Sequence, residues 1–106
     1  MKDLYRDVLQ CIGNTPLLAL RKIVPENGAR ILLKLESENP TGSMKDRMAL
    51  AMIEAAEADG RLRPGGSVAE YSGGSTGVSL ALICAVKGYP LHSADAKPSA
   101  ISRLRL

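Results

Sequence analysis

A lysine stands where a polar turn opens into a long apolar segment, and its position suggests chemistry. Residues 39–47 read Asn-Pro-Thr-Gly-Ser-Met-Lys-Asp-Arg, in which Ser43 is a typical helix N-cap and Asp46 follows at capping-box spacing. Lys45 is therefore predicted in the first turn of a helix, where the helix dipole disfavours its ammonium form. A partly neutral lysine attacks carbonyl carbons and forms Schiff bases. The alternative is a surface lysine whose stem lies along the helix.

A second loop has the composition of an anion-binding site. Residues 72–77 read Ser-Gly-Gly-Ser-Thr-Gly, between a strand-like segment at 67–71 and a helix-like segment at 78–87. Backbone N–H groups and hydroxyls at such a junction suit a carboxylate or a phosphate. The same composition also serves as a plain turn. The loop matches neither the Walker A pattern nor the dinucleotide-binding pattern.

Together with residues 12–18, Ile-Gly-Asn-Thr-Pro-Leu-Leu, these loops resemble the pyridoxal-phosphate enzymes of the tryptophan-synthase-β group, fold type II. Cysteine synthase is the most similar family and cystathionine β-synthase stands beside it. The resemblance implies that Lys45 binds pyridoxal 5′-phosphate covalently, next to the turn at 39–43. It also implies a loop that holds the substrate carboxylate, formed by Ser72, Gly73, Ser75 and Thr76. Ser75, which would also contact the cofactor, replaces the asparagine that is usual in cysteine synthases.

By this resemblance, the chain is the N-terminal segment of an enzyme that replaces the β-substituent of an O-acetylserine-like amino acid with sulfide or another thiol. Lys45 would remove the proton from the substrate Cα. Asp46 and Arg47 are interpreted as helix-start charge and structural ion partner, not as catalysts. The 106-residue chain alone is expected to be inactive.

Two other functions stay open. One is an inactive truncated product that pairs with an intact subunit through uncovered apolar faces. The other is a threonine-dehydratase-like or threonine-synthase-like enzyme, suggested by Thr41, which replaces the glycine common in cysteine synthases. Residues 12–18 argue against the second of these.

The elements that would position the two loops alternate between strand and helix. The patterns predict a short helix at 4–10, an extended segment at 16–20, strands at 30–36, 67–71 and 89–92, and helices at 44–59 and 75–87. Gly60 and Gly88 are the expected helix stops. This order predicts a three-layer α/β fold with a parallel sheet covered by helices, incomplete in this chain. The helix at 44–59 is apolar nearly all round, so we expect its burial on more than one side.

Length and composition predict a single partial globular domain over residues 1–106, with 45% hydrophobic and 24% charged residues. Residues 1–92 follow the family pattern. Residues 93–106 lack the apolar run of a buried parallel strand, and we interpret them as the atypical tail of a truncated or frame-shifted product. The family's phosphate-binding loop would lie downstream.

Charge and cysteine usage exclude several other classes. The net charge is +3 and the basic residues are scattered, which is not a nucleic-acid footprint. Cys11, Cys84 and His92 form no metal-binding pattern, and both cysteines are expected to pack against helices. The N-terminus lacks an apolar signal region, so we predict a cytoplasmic protein without a membrane segment. The resemblance implies homodimers for the full-length enzymes and leaves the state of this chain open.

Overall fold

The computed structural model describes residues 4–71 and 74–94, which form an α/β arrangement. Two short 3₁₀ helices span Val8–Cys11 and Glu36–Glu38, and the α-helices are α1 (Lys45–Ala58) and α2 (Ser75–Lys87). The strands are β1 (Leu17–Ala19), β2 (Leu32–Lys34), β3 (Val68–Tyr71) and β4 (Leu91–Ala94). Every predicted strand and both long helices are therefore present, and α2 has the predicted bounds.

Strands β3 and β4 form a parallel pair, with Val68 opposite Leu91 and Tyr71 opposite Ala94. Helix α2 is the crossover that parallel strands require. It ends at Gly88, whose φ of 82° lies in the left-handed region that glycine adopts without strain. The Gly88 N–H donates to the Cys84 carbonyl at 2.8 Å. Both the parallel pairing and the helix stop confirm the predictions.

Strands β1 and β2 form a separate antiparallel pair, with Leu17 opposite Lys34 and Ala19 opposite Leu32. The predicted parallel sheet included the strand at 30–36, and the antiparallel pairing of β2 with β1 corrects that prediction. The reason is the connection, because residues 20–31 contain no helix that could return the chain for parallel pairing.

The N-terminal segment also differs from its prediction. The helix expected at 4–10 is one 3₁₀ turn at Val8–Cys11, which starts where the Asp7 carboxylate accepts the Leu9 N–H at 2.7 Å. Cys11 is exposed rather than packed, whereas Cys84 is buried in the core as expected. Among residues 4–71 and 74–94, no helix is both long enough and apolar enough to span a bilayer.

The core lies where α1 and α2 pack on each other, close to β3 and β4. Its buried apolar residues are Ala49, Ile53, Leu62, Leu80, Ile83 and Cys84. Polar bonds tie the two helices at both ends. Near their N-termini Ser79 donates to Asp46 at 2.5 Å, and near their C-termini Lys87 and Tyr89 each donate to Glu57 at 2.7 Å.

Helix α1 keeps three methionines partly exposed within the described part of the chain. Met44 is 58% exposed, Met48 38% and Met52 52%. The prediction of burial on several sides is therefore wrong for these three residues, which the described elements leave partly open to solvent.

Truncation of a core residue of α2 should destabilise the chain far more than truncation of a surface residue of the same helix. Ile83 is fully buried and Val86 is 41% exposed. We expect Ile83→Ala to lower the free energy of unfolding by about 2–5 kcal/mol through lost contacts and a cavity. Val86→Ala should change it by about 0.5 kcal/mol or less. Urea titrations followed by circular dichroism measure both. Equal losses would mean that α2 is not packed as described.

Candidate functional site

Lys45 is the first residue of α1, as its sequence position predicted. The Ser43 hydroxyl accepts the Lys45 N–H at 3.1 Å, and the Ser43 carbonyl accepts the Asp46 N–H at 3.3 Å. The Lys45 side chain is half-buried. It lies at a shallow concavity of about 360 Å³, lined also by Lys34, Glu36, Met44, Arg47 and Met48. Within the described residues its amino group has no hydrogen-bond or ion-pair partner.

Asp46 points into the protein and does not form the predicted capping box with Ser43. Its carboxylate accepts the Thr41 N–H at 2.9 Å, the Thr41 hydroxyl at 2.5 Å and the Ser79 hydroxyl at 2.5 Å. The side chain has no solvent exposure. The capping-box prediction is wrong because burial directs the carboxylate to donors inside the fold, and a buried carboxylate needs such donors.

The Asp46 contact places the starts of the two helices next to each other. Ser79 lies on α2 four residues after Ser75, so the two serines share a helix face about 6 Å apart along the axis. Ser75 is exposed and Thr76 is half-buried at the start of this helix. The predicted loop residues Ser72 and Gly73 lie outside the described residues. The structure therefore brings Ser75 and Thr76 to the same end of the helix pair as Lys45.

A second polar network anchors the turn from the opposite side, around Glu36. Arg47 binds the Glu36 carboxylate with two N–H groups, at 2.8 and 3.0 Å. The Thr15 hydroxyl donates to the same carboxylate at 2.5 Å, and the Asn39 amide donates to it at 2.9 Å. Arg47 is thus a structural ion partner, as predicted. Its hydrogen bonds hold the pKa of Glu36 down at about 2, with smaller help from Thr15 and Asn39.

The same network explains part of the motif at residues 12–18. The side-chain amide oxygen of Asn39 accepts the Gly13 N–H at 2.8 Å. Gly13 has a φ of 82°, and a Cβ there would lie 2.9 Å from the Arg47 guanidinium. Only glycine meets both demands without displacing Arg47. The motif at residues 12–18 therefore contacts the turn at 39–43 directly, through Gly13 and Asn39.

Sequence reasoning missed two members of these networks, Ser79 and Glu36. Ser79 is a hydroxyl within the apolar run at 78–86, and a polar residue there needs a buried partner, which was a usable signal. Glu36 gave no comparable signal, because its partners Thr15 and Arg47 approach it only in the folded chain. Within residues 4–71 and 74–94, no group of three His, Cys, Asp or Glu side chains could hold a metal ion.

The Glu36 carboxylate should make stability acid-sensitive. Its folded pKa of about 2 lies below its ordinary value of 4.5, so its stabilising contribution is complete above pH 4.5. It is lost as the pH falls from there towards 2. We expect the parent chain to lose more stability than Glu36→Gln between about pH 6 and pH 3, measured as the shift in urea midpoint.

Comparison of variants isolates this effect, because Glu57 and Asp59 also have lowered pKa values and add to the acid loss. The control is Glu38→Gln, at an exposed position in the same 3₁₀ helix. It should keep the acid sensitivity of the parent. Identical pH dependence in Glu36→Gln and Glu38→Gln would contradict the role assigned to the Arg47 pair.

Known proteins share this fold and these motifs. The profile of the family described as "Pyridoxal-phosphate dependent enzyme" matches residues 8–105. A cysteine synthase from Staphylococcus aureus is 51% identical over 83 residues, which are 78% of this chain and 27% of that enzyme. The chain therefore spans about a quarter of that enzyme's length.

Solved structures agree with this match. A hydrogen sulfide-producing enzyme from Fusobacterium nucleatum superposes with a TM-score of 0.87 and 40% identity, over 99% of this chain and 35% of that one. O-acetylserine sulfhydrylase isoform 3 from Entamoeba histolytica gives a TM-score of 0.87 and 35% identity, over 98% of this chain and 33% of that one. With a family profile that matches nearly its whole length, the chain belongs to the pyridoxal-phosphate dependent enzymes, and its α/β fold is a partial form of fold type II.

Proposed function

We propose that this chain is the N-terminal segment of a cysteine synthase-like enzyme. The complete enzyme would replace the β-substituent of an O-acetylserine-like amino acid with sulfide or another thiol. The observation that carries the proposal is the placement of Lys45 at the first residue of α1, shortly after the turn at 39–43. This turn is hydrogen-bonded to Asp46 through Thr41 and to Glu36 through Asn39. The 51% identity to the Staphylococcus aureus cysteine synthase supports it.

The residues present fit pyridoxal 5′-phosphate. Lys45 is a half-buried residue that lines the 360 Å³ concavity, and its amino group has no competing partner among the described residues. Lys45 would therefore hold the cofactor, with Ser75 as a further contact. When bound, the cofactor supplies an electron sink for charge that develops at the substrate Cα.

The chain's own groups would then divide two tasks. The Lys45 amine, once displaced by substrate, would take the proton from the substrate Cα. This role requires the amine to lie within hydrogen-bond reach of that proton. The N–H groups and hydroxyls at the start of α2 would bind the substrate carboxylate, with Ser75 and Thr76 from the described residues and Ser72 and Gly73 from the loop before them.

Covalent trapping tests the role of Lys45. The chain is mixed with pyridoxal 5′-phosphate, reduced with borohydride and mapped by mass spectrometry. We expect a stoichiometric adduct at Lys45, because its side chain lines the concavity and its amino group has no partner among the described residues. Lys45→Ala should lose the adduct and the visible absorbance band.

Lys34→Ala is the matched control, since Lys34 lines the same concavity but donates to the Thr15 carbonyl at 2.8 Å. It should keep the adduct at Lys45. Label spread evenly over the lysines, or no band, would count against a preformed cofactor site in this chain.

A second candidate function is an interaction module, and the exposed apolar surface favours it. The uncovered side of α1 carries Met48 and Met52, and Met52 also borders an apolar groove of about 500 Å³ against β3. Leu17, Leu18 and Leu33 of the β1–β2 pair are exposed as well, by 42–62%. Exposed apolar surface of this kind marks protein–protein contacts. The occupant proposed is an intact subunit of the same family, and a second copy of this chain is the simplest partner to test.

A charge placed in this groove should weaken association. We expect Met52→Lys to shift sedimentation of the chain towards monomer, because an ammonium in the contact would be desolvated. Ala58→Lys adds the same charge at an exposed position near the end of α1 and should leave sedimentation unchanged. Equal behaviour of both variants would exclude the α1 face as the contact between copies of this chain.

A further inference from the structure

We infer that Asp46 is a positioning residue that holds the Lys45 turn and the start of α2 in a fixed relation. The inference rests on the proposed function, in which Lys45 binds the cofactor and the start of α2 binds the substrate carboxylate. Asp46 itself touches neither group in this proposal. It acts through Thr41 on one side and Ser79 on the other.

The Asp46 carboxylate is buried between the turn at 39–43 and α2. It is 0% exposed, and its three described donors come from two separate parts of the chain, the turn and α2. A buried carboxylate is stable only while such donors surround it. A shift of α2 away from the turn would remove one donor and leave a poorly satisfied charge in the core.

Both hydroxyls bind the same oxygen. The Thr41 and Ser79 hydroxyls each lie 2.5 Å from Asp46 Oδ1, and their own oxygens are 3.5 Å apart. Sliding of α2 along the turn cannot keep both bonds, since hydrogen bonds weaken steeply outside a narrow range of distance and angle. The carboxylate therefore restrains sliding as well as separation.

This restraint extends to the proposed ligand groups. Successive helix residues are about 100° apart, so the inward direction of Asp46 sends the adjacent Lys45 towards the concavity instead of the core. Ser75 lies one turn before Ser79 on the same face of α2. The lysine and the carboxylate-binding helix start thus depend on one set of hydrogen bonds.

The Glu36 network cannot replace this connection. Among the described residues, the hydrogen bonds of Glu36 and Arg47 run to Thr15 and Asn39 and not to α2. The turn would keep its attachment to residues 13–15 after loss of the Ser79 hydroxyl, but the hydrogen bond that joins Asp46 to α2 would be lost. This difference allows a specific test.

Hydrogen exchange of the ligand-free 106-residue chain measures the coupling. In Ser79→Ala, the amides of residues 41–45 should exchange about 10-fold faster or more, although the substitution lies on another helix. Ile83→Val, a mild core change one turn further along α2, is the control for general destabilisation and should not single out this segment. Ser79→Thr keeps the hydroxyl and should restore slow exchange.

Thr41→Val tests the same coupling by a change in the turn instead of in α2. It replaces Ser79→Ala as the test if that variant does not fold. It removes a hydroxyl that donates to Asp46 and should accelerate exchange at the start of α2, residues 75–80. The inference would be overturned if Ser79→Ala and Ile83→Val accelerated amide exchange at residues 41–45 equally, after allowance for the loss of stability in each variant.

Borohydride trapping with pyridoxal 5′-phosphate links the coupling to the site. Ser79→Ala should reduce the preference of labelling for Lys45 over other lysines by about 10-fold, and Ile83→Val should not. If Ser79→Ala exchanges its amides faster but keeps the labelling preference for Lys45, the positioning role of Asp46 is refuted. Absence of selective labelling in the parent chain would refute the proposed function of Lys45, while hydrogen exchange would still decide whether Asp46 couples the two segments.

Discussion

The buried carboxylate of Asp46 is the contact on which the arrangement of the two helices at the site depends. A carboxylate without solvent exposure needs donors inside the protein, and here they come from Thr41 and Ser79. The apolar contacts of Ile53, Leu80 and Ile83 hold α1 against α2 but allow small shifts along the helix axes, because apolar contacts are non-directional. Hydrogen bonds to one buried oxygen are directional, so they select one of these arrangements.

The Glu36 network complements this contact at the other side of the turn. It is nearer the surface, with the Arg47 side chain 40% exposed and that of Glu36 22% exposed. A partly exposed ion pair contributes little to the free energy of unfolding, whereas breaking a buried one is strongly destabilising. Its contribution is therefore mainly geometric: the two-pronged Arg47 pair and the Asn39 amide fix the path of the chain from residue 13 to the turn. The Asn39–Ser43 turn is held from two directions by groups that need not touch a ligand.

The apolar surface that the described residues leave uncovered has a single physical origin. The chain is 45% hydrophobic, yet the buried core of residues 4–71 and 74–94 consists of six apolar residues around one helix pair. The methionines of α1 and the leucines of β1 and β2 follow the pattern of buried elements but remain 38–62% exposed in the described structure. The chain spans 27% of the length of its Staphylococcus aureus relative, and in such a longer protein other elements are available to cover these faces. The same surface is the basis of the second candidate function.

Local patterns in the sequence were enough to predict the two long helices, the strands, the family and the place of Lys45 at a helix start, because periodicity, glycine stops and short motifs are properties of neighbouring residues. The end of α2 at Gly88 and the first turn of α1 follow directly from such patterns. The partners of Asp46, the ion pair of Glu36 and the antiparallel pairing of β2 were decided only by the tertiary structure. Each of these joins residues far apart in the chain, and a buried polar group takes whichever donors the packing of helices brings within reach, which no local pattern encodes.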